Sequence, residues 1–398
     1  MAASLPLDEQ TAIDHLLRFL NVEGVSGEER AIAEAVSDEL QKFGVPKSAI
    51  RYDKVNERIP LPTQTGNLFV DLPGTKPGPR LVFSTHLDTV PLCAGAKPRR
   101  EGDRILSDGT TALGGDNRTG CAVLVSLAET LLKHKLPHPP ITLLFTVREE
   151  SGLQGARYID PADLKGTAMG FNVDGKLPAD LILGAVGQES FTIEIRGKAA
   201  HAGVAPEKGI SATLAAALAL EEVHRGGWFG KIVKGESRGT SNIGVFGGKP
   251  GKPAGDATNV VTDYAFLKGE ARSSDAAFAS QITAAYRAAF EKGAAAVKDI
   301  GGESAKLKFE AHVSYPPFKL AESDAVIAHA KRAAESIGLT PTCHFSNGGL
   351  DANWLVEHGL PTVTIGAGQY EIHTVNEYVV LPEFLQGCRL AVALATVV

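Results

Sequence analysis

The stretch ITLLFTVREESG, residues 141–152, begins as a run of apolar and β-branched residues and ends in two adjacent carboxylates, Glu149 and Glu150. Two neighbouring carboxylates in a partly dry place repel, so either one keeps its proton or both face positive charge. Other stretches supply groups of matching chemistry: His86 in STHLDTVP, Asp116 in LGGDNRTG, Asp174 in NVDG and His373 in EIHTVNE. Imidazole and carboxylate donors without thiolate suit catalytic zinc, manganese or cobalt with open coordination positions. Two divalent cations roughly 3.5–4 Å apart would hold several carboxylates together and leave one glutamate free as a base. Each residue alone has an ordinary explanation, a rim histidine or an aspartate before a turn; it is the combination that points to a metal site. Asp88 lies two residues from His86, so on an extended strand both side chains face the same way. Its carboxylate is expected to accept the ring N–H and fix the tautomer.

The elements around these residues place them at strand ends or in the loops beyond them. SGEERAIAEAVSDELQKFG carries Ser26 and, three residues on, Glu29, a capping-box signature, followed by helical spacing of apolar residues up to Gly44. RLVFSTHLDTV, ITLLFTVRE and AMGFNVDG read as buried strands, and NRTGCAVLVSLAETLLKH as a helix between the first two. Alternating strands and helices predict a mostly parallel α/β sheet flanked by helices, in which functional residues gather at the carboxyl ends of strands. After about Gly187 the texture changes. ESFTIEIRGKA, TSNIGVFGG, NVVTDYAFLKGEARSS and KLKFEAHVSY alternate in strand fashion, with helical stretches at SATLAAALALEEVH and from Asp275. This predicts an inserted α+β domain with an antiparallel sheet, residues 187–317, between two parts of a metal-binding domain, residues 1–186 and 318–398. GGKPGKPAGDAT reads as a loop within the insertion.

Composition excludes several classes. The chain has 398 residues, 43% hydrophobic and 22% charged, with a formal net charge of -6. There is no basic block to favour nucleic acid or an anionic membrane. The N-terminal MAASLPLDEQTAIDHLL has no basic lead into an apolar run, and no window reaches the length of a membrane span. A cytoplasmic protein is expected. Cys93, Cys121, Cys343 and Cys388 are scattered without a CxxC pair, against both a disulfide framework and a thiolate zinc site.

STHLDTVP, GGDNRTG, REESGLQGAR, NVDG, GKAAHAGVAPEKGISA, TNVV, GEARSSD, SNGGLDAN and HTVNE together resemble a known family. It is that of the two-zinc exopeptidases and amidohydrolases that include peptidase T, aminoacylase, glutamate carboxypeptidase and succinyl-diaminopimelate desuccinylase. The AHAG and GGLDAN stretches are most similar to the peptidase T branch, the tripeptide aminopeptidases. The resemblance implies that Asp116 bridges two metal ions, zinc first with cobalt or manganese as alternatives. His86 and Asp174 would complete one site, Glu150 and His373 the other, and Asp88 would orient His86. Glu149 would be the general base, taking a proton from the attacking water and passing it to the leaving amine. His201, in the insertion, would stabilise the oxyanion, in several family members from the partner subunit. Asn259 and Arg272 resemble positions that meet substrate carboxylate or carbonyl groups, and Gly348 and Gly349 would let the backbone come close to the substrate. The implied protein is a metal-dependent exopeptidase acting on short peptides, with the insertion as lid or homodimerisation domain. Its rivals are a deacylase of the same fold acting on N-acyl amino acids or related small amides, and a non-catalytic binding protein that keeps the fold.

Overall fold

All six residues of the strand Ile141–Thr146 are buried, the pattern of a strand covered on both faces. It pairs in parallel with Arg80–His86, which pairs in parallel with Thr167–Gly175, which pairs in parallel with Thr362–Gly366. The computed structural model from which these pairings come describes residues 5–249, 251–255 and 257–397. Residues 1–4, part of the N-terminal segment read above, and residues 250 and 256 of the GGKPGKPAGDAT loop lie outside the described residues. Antiparallel strands extend the sheet, Leu68–Leu72 and Ile50–Tyr52 on one side, Asp180–Ala185 and Phe318–Lys319 on the other. Thr342–Ser346 runs parallel to Asp180–Ala185. The four consecutive parallel strands therefore end on one edge of the sheet, and the chain leaves that edge at His86, Thr146, Asp174 and Gly366.

The helix Gly115–Lys133 packs on this sheet, with Glu9–Leu20 and Leu381–Thr396 against it. Its first turn is irregular. Asp116 has φ −83° and ψ 100°, Asn117 has φ −126° and ψ 45°, and the peptide between them is cis. Regular helix begins at Arg118, whose guanidinium is buried and donates to the carbonyls of Phe19, Val22 and Leu87. That side chain ties the N-terminal helix, the end of the His86 strand and the Asp116 turn together.

The capping box expected from Ser26 and Glu29 is not formed. The helix runs Arg30–Lys42 without a side-chain cap. Glu29, fully buried, accepts the backbone N–H of Gly27 at 2.7 Å and of Arg148 at 3.1 Å, while the Ser26 hydroxyl donates to Asp88 at 2.6 Å. Both side chains of the local pattern are thus drawn to the ends of neighbouring strands instead of to the helix.

Residues 99–106 form a hairpin, Arg99–Glu101 with Arg104–Leu106, turning at Gly102 with φ 59°. Tyr378–Val380 pairs with it, and Gln369–Tyr370 pairs with Tyr378–Val380. The last two strands flank His373, so the hairpin braces the loop that carries it.

The chain divides into two compact units, Met1–Ala185 with Phe318–Val398, and Val186–Pro317. The second has an antiparallel sheet in the order Gly230–Lys234, Ser237–Gly247, Tyr264–Ser273, Gly187–Arg196, Lys306–Tyr315. Phe191, Ile193, Ile195, Ala265 and Leu267 alternate onto one face and bury against Phe278, Ile282, Tyr286 and Phe290 of the helix Ala276–Ala296. Asp275 caps that helix, accepting from the N–H of Ala277 at 2.9 Å. Among the described residues no helix is long and apolar enough to cross a membrane.

Candidate metal centre

His86 closes its strand with the ring buried. Nδ1 lies 3.0 Å from the backbone carbonyl of Asp88 and 3.5 Å from the nearer carboxylate oxygen, so the Nδ1–H donates to the carbonyl. The tautomer is fixed from Asp88, but by its backbone. The carboxylate expected for that task instead accepts the N–H of Glu149 at 2.8 Å, the N–H of Glu150 at 3.1 Å and the Ser26 hydroxyl. Asp88 thereby holds the turn that presents the two glutamates.

The other ring nitrogen of His86, Nε2, faces Asp116 Oδ1 at 3.1 Å and Asp174 Oδ1 at 3.6 Å. His373 Nε2 faces the second oxygen of Asp116 at 3.3 Å and Glu150 Oε1 at 2.9 Å. Two groups result, His86–Asp116–Asp174 and Asp116–Glu150–His373, each with its donor atoms within 4.8 Å of one another. They share Asp116, one oxygen turned to each. His373 adopts φ 63° and Glu371 φ 51°, left-handed conformations uncommon outside glycine, so the loop bends sharply to bring the imidazole to Glu150.

The charges show what such a cluster suits. Burial raises the Glu149 carboxyl well above the usual range against the attraction of His86, and repulsion from Asp174, Glu150 and Asp351 adds to it. Burial likewise takes Glu150 to about 7 and Asp174 to about 6, opposed by the hydrogen bonds of His373 and His86. His373 rises to about 10 through its bonds to Asp116 and Glu150. Burial would lower His86, but Asp116, Asp174 and Asp88 outweigh it and raise it well above the imidazole range. Arg148, beside the glutamates in sequence, is not their counter-ion. Its guanidinium turns away to the Pro62 carbonyl, the Thr63 hydroxyl and Ser151. The donor set therefore fits divalent cations: nitrogen and oxygen ligands, too much buried negative charge, and imidazoles that would shed a proton to bind.

Residues that sequence reasoning missed hold this geometry. Glu377, buried, accepts the N–H groups of Leu113 and Gly114 at 2.8 Å and of Asp116 at 3.0 Å. Its signal was its place in HTVNE, four residues from His373. Asn117 donates to the Val173 carbonyl at 2.6 Å and to Asp174 at 3.1 Å, and accepts from the Gly120 N–H at 3.0 Å. Asp351, in GGLDAN, is buried, accepts from the Thr146 hydroxyl and has its other oxygen unpartnered; burial takes it to about 7 against that hydrogen bond.

A cavity of about 380 Å³ opens on the cluster, lined by Asp116, Glu149, Glu150, Asp174, Gly348 and Gly349 among others. A Cβ on Gly348 would meet nothing nearer than the Ser346 hydroxyl at 3.7 Å, so packing does not demand glycine there. The remaining candidates belong to the second unit. His201 is exposed and pairs as a bridge with Val260, and the N–H of Ala202 donates to the Asn259 carbonyl at 2.8 Å, so His201 and Asn259 stand on adjoining segments. The Gly203 N–H donates to His201 Nδ1 at 3.1 Å, which in the neutral ring leaves the proton on Nε2. Arg272 is held by Glu270, Nε at 2.9 Å and an outer nitrogen at 3.0 Å.

The profile of Peptidase family M20/M25/M40 matches residues 82–396. The chain belongs to this family. Its relatives there include the uncharacterised protein YqjE of Bacillus subtilis, 33% identical over 390 residues, 98% of each chain. Among solved structures, the aminopeptidase PepT from Bacillus cereus is 34% identical with a TM-score of 0.83, and a tripeptidase from Staphylococcus aureus is 28% identical with a TM-score of 0.87. Each alignment covers 98% of both chains.

Proposed function

We propose that this family member is a two-metal aminopeptidase that hydrolyses the N-terminal amide bond of short peptides. The observation that carries the reading is the pair of ligand groups sharing Asp116, with Glu149 beside them and in neither. Zinc suits the donors, with cobalt or manganese as substitutes. Asp116 would serve both cations, His86 and Asp174 would hold one with it, and Glu150 and His373 would hold the other. Bound cations lower the pKa of a water and polarise the amide carbonyl. Glu149 accepts the proton of the attacking water and gives it to the leaving amine, in a place where Asp88 fixes its backbone. His201, with a proton on Nε2, is the oxyanion donor supplied by the inserted unit of the same chain or of a second copy in a homodimer. Asn259 and Arg272 meet polar groups of the substrate, and Gly348 and Gly349 give its backbone room. The protein works in the cytoplasm, in keeping with four cysteines that are all free thiols.

The test is a panel of unblocked tripeptides, dipeptides and N-acetyl amino acids, assayed with zinc, cobalt or manganese after chelation. Tripeptides and dipeptides should be cleaved from the N-terminus, with about two metals per chain required. Faster hydrolysis of N-acetyl amino acids would replace this reading with a deacylase, and full activity with one metal or none would remove the two-metal mechanism.

A further inference from the structure

Lys176 gives the cavity a wall of a different kind. It follows the Thr167–Gly175 strand directly, two residues past Asp174, and lines the cavity together with Tyr370, Ile182 and Ile372. Its Nζ lies 4.4 Å from the centroid of the Tyr370 ring. That ring is clamped. The Tyr370 hydroxyl donates to Glu383 at 2.7 Å, and the ring stacks on Tyr378 with centroids 5.0 Å apart and planes at 6°. Arg104 lies 4.7 Å from the Tyr378 centroid, and the backbone is fixed as well, the Lys176 carbonyl accepting from the Gly368 N–H at 2.7 Å. A ring face stabilises an ammonium electrostatically while leaving its three N–H donors for an anion. Among the described residues no carboxylate oxygen lies within 4.0 Å of Lys176 Nζ, and it is the one lysine or arginine that lines this cavity. Arg272, the cation expected to meet the substrate, is already gripped by both oxygens of Glu270.

Resting on the peptidase reading above, we propose that Lys176 binds the free C-terminal carboxylate of the peptide and so selects short, unblocked substrates. The carboxylate meets an exposed ammonium held over the Tyr370 ring, in a cavity whose other ionisable walls are five carboxyl groups, the His373 imidazole and the Tyr370 phenol. Amidation removes the partner charge, and each added residue carries the carboxylate further from it. Exopeptidase length selection then comes from a charge at the far end of the substrate as well as from the shape of the cleft.

The experiment compares an unblocked tripeptide with its C-terminal amide, using metal-loaded wild type, Lys176→Gln, Lys176→Arg and Lys176→Glu. Wild type should prefer the acid by about 5- to 50-fold in kcat/KM, almost all of it in KM, as an added charge-assisted contact in a partly enclosed site gives. Lys176→Arg should keep the preference, Lys176→Gln should bring the ratio to within about twofold, and Lys176→Glu should reverse it. A preference that survives unchanged in Lys176→Gln overturns the inference. Calorimetric binding of uncleavable reduced-amide tripeptides, acid and amide, reads the same ratio without turnover. Equal affinity for both in wild type overturns the role of Lys176 and leaves the peptidase reading intact. A carboxylate preference lost in Lys176→Gln, with no peptide cleaved by any metal form, upholds that role and overturns the peptidase reading.

Discussion

The two units present their candidate residues on different kinds of backbone. In the first, His86 ends a parallel strand, Asp116 sits in the first turn of a helix and Glu149 follows a second parallel strand, all buried, in a cluster with Glu150, Asp174 and His373 where four carboxyl groups face two imidazoles. In the second, His201 and Asn259 are exposed, and Arg272 has a carboxylate partner of its own. A buried cluster of coupled charges changes its state whenever one member changes, so lesions there should appear in metal occupancy where a candidate ligand is lost and in kcat where Glu149 is lost. An exposed histidine with a fixed tautomer has no ground-state duty to lose, so its lesion should appear in the transition state alone.

The largest effects test the first half of that contrast. Glu149→Gln should keep its metals and lose kcat by a factor on the order of 10²–10⁴, the range of general-base catalysis. Glu150→Gln should lose metal, because His373 and Asp116 would share their site with a neutral amide. Elemental analysis beside kcat separates the two, and equal metal content in both variants would reverse or cancel the division of roles. Next comes His201→Ala, expected to lower kcat by roughly 10²–10³ with metal content and KM nearly unchanged. If a second copy delivers the histidine, mixing His201→Ala with Glu149→Gln chains should restore part of the activity. A raised KM with unchanged kcat would make His201 a binding residue.

How much of this was legible in the sequence depended on the range of the interaction. The parallel strands were legible because Ile141–Thr146 is apolar on both faces, and the antiparallel sheet because Phe191, Ile193 and Ile195 alternate. The hairpin at residues 99–106 was not. Arg99–Glu101 is exposed throughout, and a strand that buries nothing leaves no periodic signal. The site's donors stood out as motifs, while the groups that aim them did not. Ser26 and Glu29 satisfied a local helix-capping pattern that two tertiary partners, Asp88 and the Arg148 N–H, displaced. Glu377 reaches back 261 positions to the Asp116 N–H, a pairing that local sequence cannot specify.

Glu377 gives the intermediate case, a buried carboxylate that touches no candidate donor atom yet fixes the turn carrying Asp116. Glu377→Gln puts an amide N–H2 against one of the three backbone donors. Metal affinity should fall by about 10- to 100-fold, the usual cost of losing a group that orients a ligand, and kcat at saturating metal should stay close to wild type. Competition with a calibrated chelator measures the first quantity. A kcat loss as deep as that of Glu149→Gln would place Glu377 in the chemistry instead.

The last effect isolates one member of the buried charge population that lies outside the candidate metal ligands. Burial, with repulsion from Asp88, raises Glu29 from 4.5 to about 7, against the N–H groups of Gly27 and Arg148 that favour its charged form. A carboxyl whose folded pKa exceeds its unfolded one binds its proton more tightly in the folded state. Its contribution to stability is therefore full below about pH 4.5 and is lost as pH rises through 7. The whole shift corresponds to about 3 kcal/mol at most. Glu29→Gln does not titrate, and the hydrogen bonds it alters give an offset independent of pH. The stability of Glu29→Gln minus that of wild type, both metal-free so that cation binding does not enter, should then grow by about 2–3 kcal/mol between pH 5 and pH 8. The cluster carboxylates titrate in both proteins and cancel in the difference. Urea midpoints at several pH values supply the measurement. A flat difference would mean that Glu29 ionises in the folded chain as easily as in water, and the turn before the two glutamates would then owe nothing to a strained carboxylate.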